Sequence, residues 1–211
     1  MLRRRAPVER SLIVVSDDGS LFIAVFHSVL GATPGFRDFC DEIQEQCTVD
    51  VVAPDLFDGR QFDDIDNGVA YAAELGFGEV IARGVGAVES RQGRCISVGV
   101  SLGVLPAQFL AQTDVRVRSL VGIGSCIPFR EFGEHWPSQV TAEFHVGTND
   151  EFFFGDGDAE AAEELIAGGH ASLVTYDTVS HLFTEGGHVH ADASAQASVV
   201  AAIGTLVRRL S

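Results

Sequence analysis

The feature that most constrains this chain is an alternation of short, almost unbroken apolar runs with longer stretches of helical periodicity. Apolar runs fall at 21–26, 49–53, 95–100, 118–123, 141–146 and 172–176. Helical patterns fall at about 36–46, 64–75, 78–89, 102–112, 158–167 and 191–210. A strand that is apolar at successive positions is covered on both faces, because neighbouring side chains point to opposite sides of the sheet. Alternation of such strands with helices predicts an α/β fold, a mostly parallel central sheet with helices on both faces. One more apolar run, 11–16, is joined to the first by Asp17-Asp18-Gly19-Ser20, which is turn chemistry; an edge strand hairpinned onto 21–26 is expected there. With 211 residues, 46% of them hydrophobic, one domain over 1–211 is expected, with 1–10 as a flexible tail.

Charge narrows the partners. The formal net charge is −16, and all 14 basic residues are arginine. Such a surface repels phosphate backbones, so no nucleic-acid partner is expected. No apolar run approaches the length that spans a bilayer, and the run after Met1-Leu2-Arg3-Arg4-Arg5 is too short for a signal peptide. No membrane partner and a cytoplasmic location are the expectations. Cys40, Cys47, Cys95 and Cys126 have no C-x-x-C spacing and read as free thiols, mostly buried, without a disulfide framework or a zinc site.

In parallel sheets the ligand site lies beyond the carboxyl ends of the strands, so polar residues that follow strands carry the functional reading. The third main run ends in Gly99-Val100-Ser101-Leu102-Gly103, a G-x-S-x-G pentapeptide with a helical stretch behind it. Strand, pentapeptide and helix are the context of a nucleophile elbow, although the bare pattern also fits an ordinary helix N-cap. Asp150 follows the strand ending near Gly147, and His181 follows the strand ending at Tyr176. The chain order Ser101, Asp150, His181 is that of the α/β-hydrolases. A serine hydroxyl needs a base to take its proton as it attacks, an imidazole can take and return that proton, and a carboxylate can hold the imidazole's tautomer. The oxyanion then needs two N–H donors, assigned to the backbone of Leu102 and of Val29 in the loop after the first strand.

Rivals exist for each role. Asn149, Glu151, Asp156 and Asp177 compete with Asp150. His145, within a strand, reads as a core residue, while His135 and His170 look like loop positions. His188-x-His190 reads as a solvated loop without a zinc pattern beside it, and Asp156-Gly157-Asp158 is only a fragment of a calcium loop. Cys126 lies off the elbow and is a lesser alternative nucleophile.

Several segments together resemble the dienelactone hydrolase family: Val52-Ala53-Pro54-Asp55-Leu56-Phe57-Asp58-Gly59-Arg60, Val98-Gly99-Val100-Ser101-Leu102-Gly103, Phe144-His145-Val146-Gly147-Thr148-Asn149-Asp150 and Ser180-His181-Leu182-Phe183. Val25-Phe26-His27-Ser28-Val29-Leu30-Gly31 is similar to that family's oxyanion segment. The likeness spans about 21–210. It implies an α/β-hydrolase fold, no cofactor, cleavage of an ester or lactone, and Ser101, Asp150 and His181 as the triad. It also places Arg60 where family members keep an arginine that grips a substrate carboxylate, with His27 and Ser28 beside the substrate. An exposed Arg60 pairing with Asp58 or Asp63 is the structural alternative.

The departures carry meaning too. Serine replaces the cysteine of the best-known members, which suits general esterase or thioesterase work. Ser28 stands where a glutamate is common, no arginine closely follows His181, and the segment after Arg60 lacks a covering insertion, so no large cap is expected. The partner implied is a small ester, lactone or thioester, with transfer to an alcohol or thiol as a variant of the same chemistry. A homodimer, whose second copy would cover an otherwise shallow cleft, is left open. The alternative function is a catalytically silent scaffold that binds a small molecule or a protein.

Overall fold

A computed structural model describes residues 19–148, 150–155, 157–177 and 181–211. Six strands form one sheet: β1 (Leu21–Phe26), β2 (Asp50–Val52), β3 (Arg94–Val100), β4 (Val117–Ile123), β5 (Thr141–Gly147) and β6 (Ala171–Tyr176). Their order is β2-β1-β3-β4-β5-β6, and every pairing is parallel. Between and after them run α1 (Pro34–Cys47), α2 (Ile65–Leu75), α3 (Phe77–Val88), α4 (Val104–Thr113), α5 (Glu151–Gly155), α6 (Asp158–Ala167) and α7 (Ala193–Leu210). The expected 11–16 hairpin strand lies outside the described residues. No described helix is long and apolar enough to cross a membrane.

The apolar runs become the sheet for the reason their pattern implies. Phe22 to Phe26 are buried at every position, as are Cys95 to Val100, so both faces of these strands are covered. Helices α1 and α7 pack against each other, and α3 and α4 pack against each other, which gives the two covering layers. Phe26, Phe36, Phe39, Phe57, Phe144, Phe153 and Phe183 are fully buried, each contributing roughly 1.5–3 kcal/mol of transfer free energy.

Two readings of the strands are corrected. The run at 49–53 is not a buried central strand. It is a three-residue edge element, β2, half-exposed because only β1 pairs with it among the described residues. β6 is the opposite edge, and its residues Ser172, Leu173 and Thr175 are exposed.

Helix starts follow local capping chemistry. Thr33 Oγ1 accepts the Phe36 N–H at 3.0 Å with Pro34 at the first position of α1, and Asp64 and Asp192 cap α2 and α7 in the same way. The chain leaves β1 outward to β2 and returns on the other side to β3. The crevice between the ends of β1 and β3 is therefore where the strand order reverses, the place where such sheets bind ligands.

Candidate active site

Ser101 sits directly on this crevice, at the end of β3. Its φ is +50°, a left-handed angle that an L-residue adopts only when its surroundings enforce it. They do. A Cβ at Gly99 would lie 2.4 Å from the Gly103 carbonyl oxygen, and a Cβ at Gly103 would lie 2.1 Å from that of Phe26. Strand, turn and helix can approach this closely only with glycine at both positions. The chain then enters a 3-10 turn, Ser101–Gly103, which runs into α4. The Leu102 N–H belongs to this first turn, so no carbonyl of its own helix can accept it.

Asp150 follows β5 and is almost fully buried. Its Oδ1 accepts the N–H groups of Phe152 and Phe153, both at 3.1 Å, and so caps the short helix α5. The His181 ring spans the remaining distance. Its Nδ1 stands 2.9 and 2.8 Å from the two Asp150 oxygens, and its Nε2 stands 2.9 Å from Ser101 Oγ. An ionised carboxylate can only accept, so Nδ1 carries the proton and Nε2 presents a lone pair to the serine hydroxyl. The imidazole is held on both sides. The Phe152 ring centroid lies 4.7 Å from its own, and a Cβ at Gly124 would meet its Cε1 and Nδ1 at 3.2 Å. Three residues distant in sequence are thus within hydrogen-bond reach of one another.

The other expected site residues divide. Leu102 and Val29 line the same cleft as Ser101 and His181. Val29 is fixed from behind, because a Cβ at Gly68 of α2 would stand 2.3 Å from its carbonyl oxygen.

His27 and Ser28, expected beside the substrate, are not among the residues that line the cleft. His27 is fully buried; its Nδ1 lies 2.7 Å from the Ser28 carbonyl and its Nε2 accepts the Leu56 N–H at 2.9 Å. Both ring nitrogens are thereby used, and burial pushes the imidazole below its usual range, so it stays neutral. Ser28 donates to Glu185 Oε1 at 2.6 Å and accepts the Leu30 N–H at 3.2 Å. Arg60, the expected carboxylate grip, is engaged elsewhere. Its guanidinium lies over the Tyr71 ring, 5.0 Å from the centroid, and the residue does not line the cleft. Asp58 pairs instead with Arg83, at 2.8 Å.

The rivals take structural places. Cys126 is fully buried, and burial raises its thiol far above the usual value, which leaves little thiolate for attack. His145 is a core residue, with Nδ1 2.6 Å from the Tyr176 hydroxyl and Nε2 2.9 Å from Glu143. Glu151 and Asp177 are exposed; Asn149 and Asp156 lie outside the described residues. Asp158 accepts the Ser125 hydroxyl at 2.6 Å and the Cys126 N–H at 3.0 Å.

The cleft itself measures about 790 Å³ and is mostly apolar. Sequence reasoning missed its walls, which come from α2, α3, α4, α5 and the segment after β4. One signal was present: Phe152-Phe153-Phe154 behind a capping aspartate marks a short amphipathic turn beside the acid. Glu185 was missed too. It is buried, accepts from Ser28 and from Thr33 Oγ1 (2.9 Å), and nothing in the local sequence points to either partner.

No protein-family model matches the chain, and no curated protein matches it in sequence. Solved structures do match in shape. A dienelactone hydrolase-like promiscuous phosphotriesterase from metagenomic libraries aligns with a TM-score of 0.66 at 16% identity, over 90% of this chain and 86% of its own. Dienelactone hydrolase from Anabaena variabilis gives 0.63 at 17% identity, over 92% and 88%. The bottromycin epimerase BotH, solved with bottromycin A2, gives 0.56 at 12% identity, over 93% and 92%. Together with the sheet order, these likenesses establish an α/β-hydrolase fold, with no large cap among the described residues.

Proposed function

We propose that this protein is a serine hydrolase that cleaves a small ester, lactone or thioester through an acyl-enzyme. The observation that carries the reading is the line from Ser101 Oγ through His181 to Asp150, with separations of 2.9 and 2.8 Å, on a serine of left-handed backbone. Fold neighbours named as a dienelactone hydrolase and a phosphotriesterase support hydrolytic chemistry on this scaffold.

In the first half-reaction, Ser101 Oγ bonds to the carbonyl carbon while His181 Nε2 takes the hydroxyl proton. The displaced electron pair rests on the carbonyl oxygen, which the Leu102 and Val29 N–H groups stabilise; one such donor is typically worth about 3–4 kcal/mol of barrier. Collapse expels the alcohol or thiol, which leaves with the proton held by His181. Water then repeats the sequence on the acyl-enzyme, releasing the acid and restoring Ser101. Asp150 keeps the working tautomer throughout and offsets the charge on the imidazolium. None of these steps calls on a cofactor.

The test is a panel of short esters, lactones and thioesters run against wild type and Ser101→Ala. Turnover in the variant is expected to fall by about 10³-fold or more with the fold intact, and a fluorophosphonate should label wild type only. Equal turnover in the variant would refute the mechanism. The second reading, a silent binding scaffold, rests on the general point that one fold carries unrelated functions; among the fold neighbours, BotH is named for an epimerase reaction and not for hydrolysis. Binding of a panel compound without labelling or turnover would establish that reading instead.

A further inference from the structure

The cleft at Ser101 has a chemical character of its own. Its walls include Val69, Phe77, Ile81, Leu105, Ile127 and Phe132, and Phe152 closes the side next to His181. Val69, Phe77 and Phe152 keep large apolar surface in the open, at 45%, 48% and 43% exposure, around a cavity that a hydrophobic chain would fill. Among the described residues, the Asp, Glu and Arg side chains on the wall are two carboxylates, Glu131 and Asp158, and no arginine. The cations nearest in sequence are engaged elsewhere. Arg130 pairs with Glu164 and lies over the Phe129 ring, and Arg83 pairs with Asp58 and Glu79. Asp158 is locked in place by the Ser125 hydroxyl at 2.6 Å and the Cys126 N–H at 3.0 Å, so it cannot swing aside.

From this wall, and building on the hydrolase reading, we infer that the site selects esters whose acyl or alkyl part is hydrophobic and uncharged, and turns away esters carrying a carboxylate. A carboxylate entering an apolar cavity loses its water and finds no positive partner to replace it. Here it also meets two like charges, an exposed Glu131 at the rim and a half-buried Asp158. A methyl group in the same place loses nothing and gains contact with the aromatic wall. The arrangement excludes one class of ligand by repulsion as much as it admits another by fit.

The test uses two esters of equal length, 4-nitrophenyl hexanoate and mono-4-nitrophenyl adipate, which differ by a terminal methyl or carboxylate. Relative to spontaneous hydrolysis, kcat/KM for the hexanoate is expected to exceed that for the adipate by about 30-fold or more at low salt. The ratio should narrow several-fold in Glu131→Gln and further in Glu131→Arg. Binding of the corresponding 4-nitroanilides, hexananilide and adipic monoanilide, to Ser101→Ala gives a readout free of turnover. Preference for the neutral anilide in a protein that hydrolyses neither ester would uphold the selectivity while sinking the acyl-enzyme. Equal or better handling of the carboxylate compound, or no binding of either anilide, would overturn the inference while leaving ester hydrolysis to stand on its own result.

Discussion

Ser101 occupies a backbone conformation that costs an L-residue on the order of 1 kcal/mol. The close approaches at Gly99 and Gly103 impose it, and the return is a hydroxyl held clear of the sheet at the start of a helix. That trade can be measured. Ser101→Ala and Ser101→Gly both delete the hydroxyl and its contact with His181, so they differ chiefly in the strain of the left-handed angle. The glycine variant is expected to be more stable than the alanine variant by about 1 kcal/mol, the reverse of the usual preference within helices and strands. Denaturant midpoints of the two would decide it, and an alanine variant of equal or greater stability would mean that the turn is unstrained. The same residue explains what was legible at this scale. Ser101, Asp150 and His181 announce themselves through a motif and through chain order at strand ends. The contacts of His27, Ser28 and Arg60 were not legible, because their partners, the Leu56 N–H, the Glu185 carboxylate and the Tyr71 ring, are brought to them only by folding.

Among the elements, the least obvious device is the strap between the segment bearing His181 and the segment bearing Val29. Glu185 follows His181 by one turn of chain and accepts hydrogen bonds from Ser28 and from Thr33, the cap of α1. The next residue presses on that helix, since a Cβ at Gly35 would lie 2.1 Å from the Gly186 carbonyl oxygen. One carboxylate thus fastens the segment bearing His181 to the segment bearing Val29. Burial outweighs the two hydroxyl donors and raises the Glu185 carboxyl above its usual 4.5. A raised acid favours the folded state when protonated, so its contribution is fully present below about 4.5 and is lost as pH climbs through the higher folded value. Glu185→Gln removes that slope. The stability of the variant relative to wild type is therefore expected to improve steadily as pH rises from 4.5, as thermal melts across the range would show; a constant difference would mean that Glu185 does not titrate with folding. Element identities were readable because apolar runs and capping residues are local: the 158–167 pattern is α6 residue for residue, and other helix ends shifted by a few residues at most. Helix α5 escaped because five residues carry too little periodicity to register, and β2 because an edge and a centre differ by a neighbour and not by composition.

At the scale of the molecule, the alternation of strands and helices foretold a doubly covered parallel sheet, but not that β1 would lie between β2 and β3. That order brings Val29 and Ser101 to one crevice, and it depends on pairings between distant segments. The net charge of −16 was equally plain, and it raises a question about selectivity. An anionic ester would be repelled by the whole protein as well as by Glu131 and Asp158, and the two effects must be told apart. They differ in range. The field of the molecule acts on the approaching substrate through water and is screened over about 10 Å at 0.1 M salt and about 3 Å at 1 M. On the cleft wall, Asp158 is half-buried, where mobile ions penetrate less, whereas Glu131 is exposed and is screened like the rest of the surface. Raising salt from 0.01 to 1 M should therefore speed hydrolysis of the adipate ester, leave the hexanoate ester nearly unchanged, and stop short of making them equal. The preference that survives at high salt should be the part set by the apolar wall and Asp158, and Glu131→Gln should narrow the ratio mainly at low salt. If salt alone abolished the preference, the discrimination would belong to the net charge of −16, and the apolar wall and Asp158 would have no share in it.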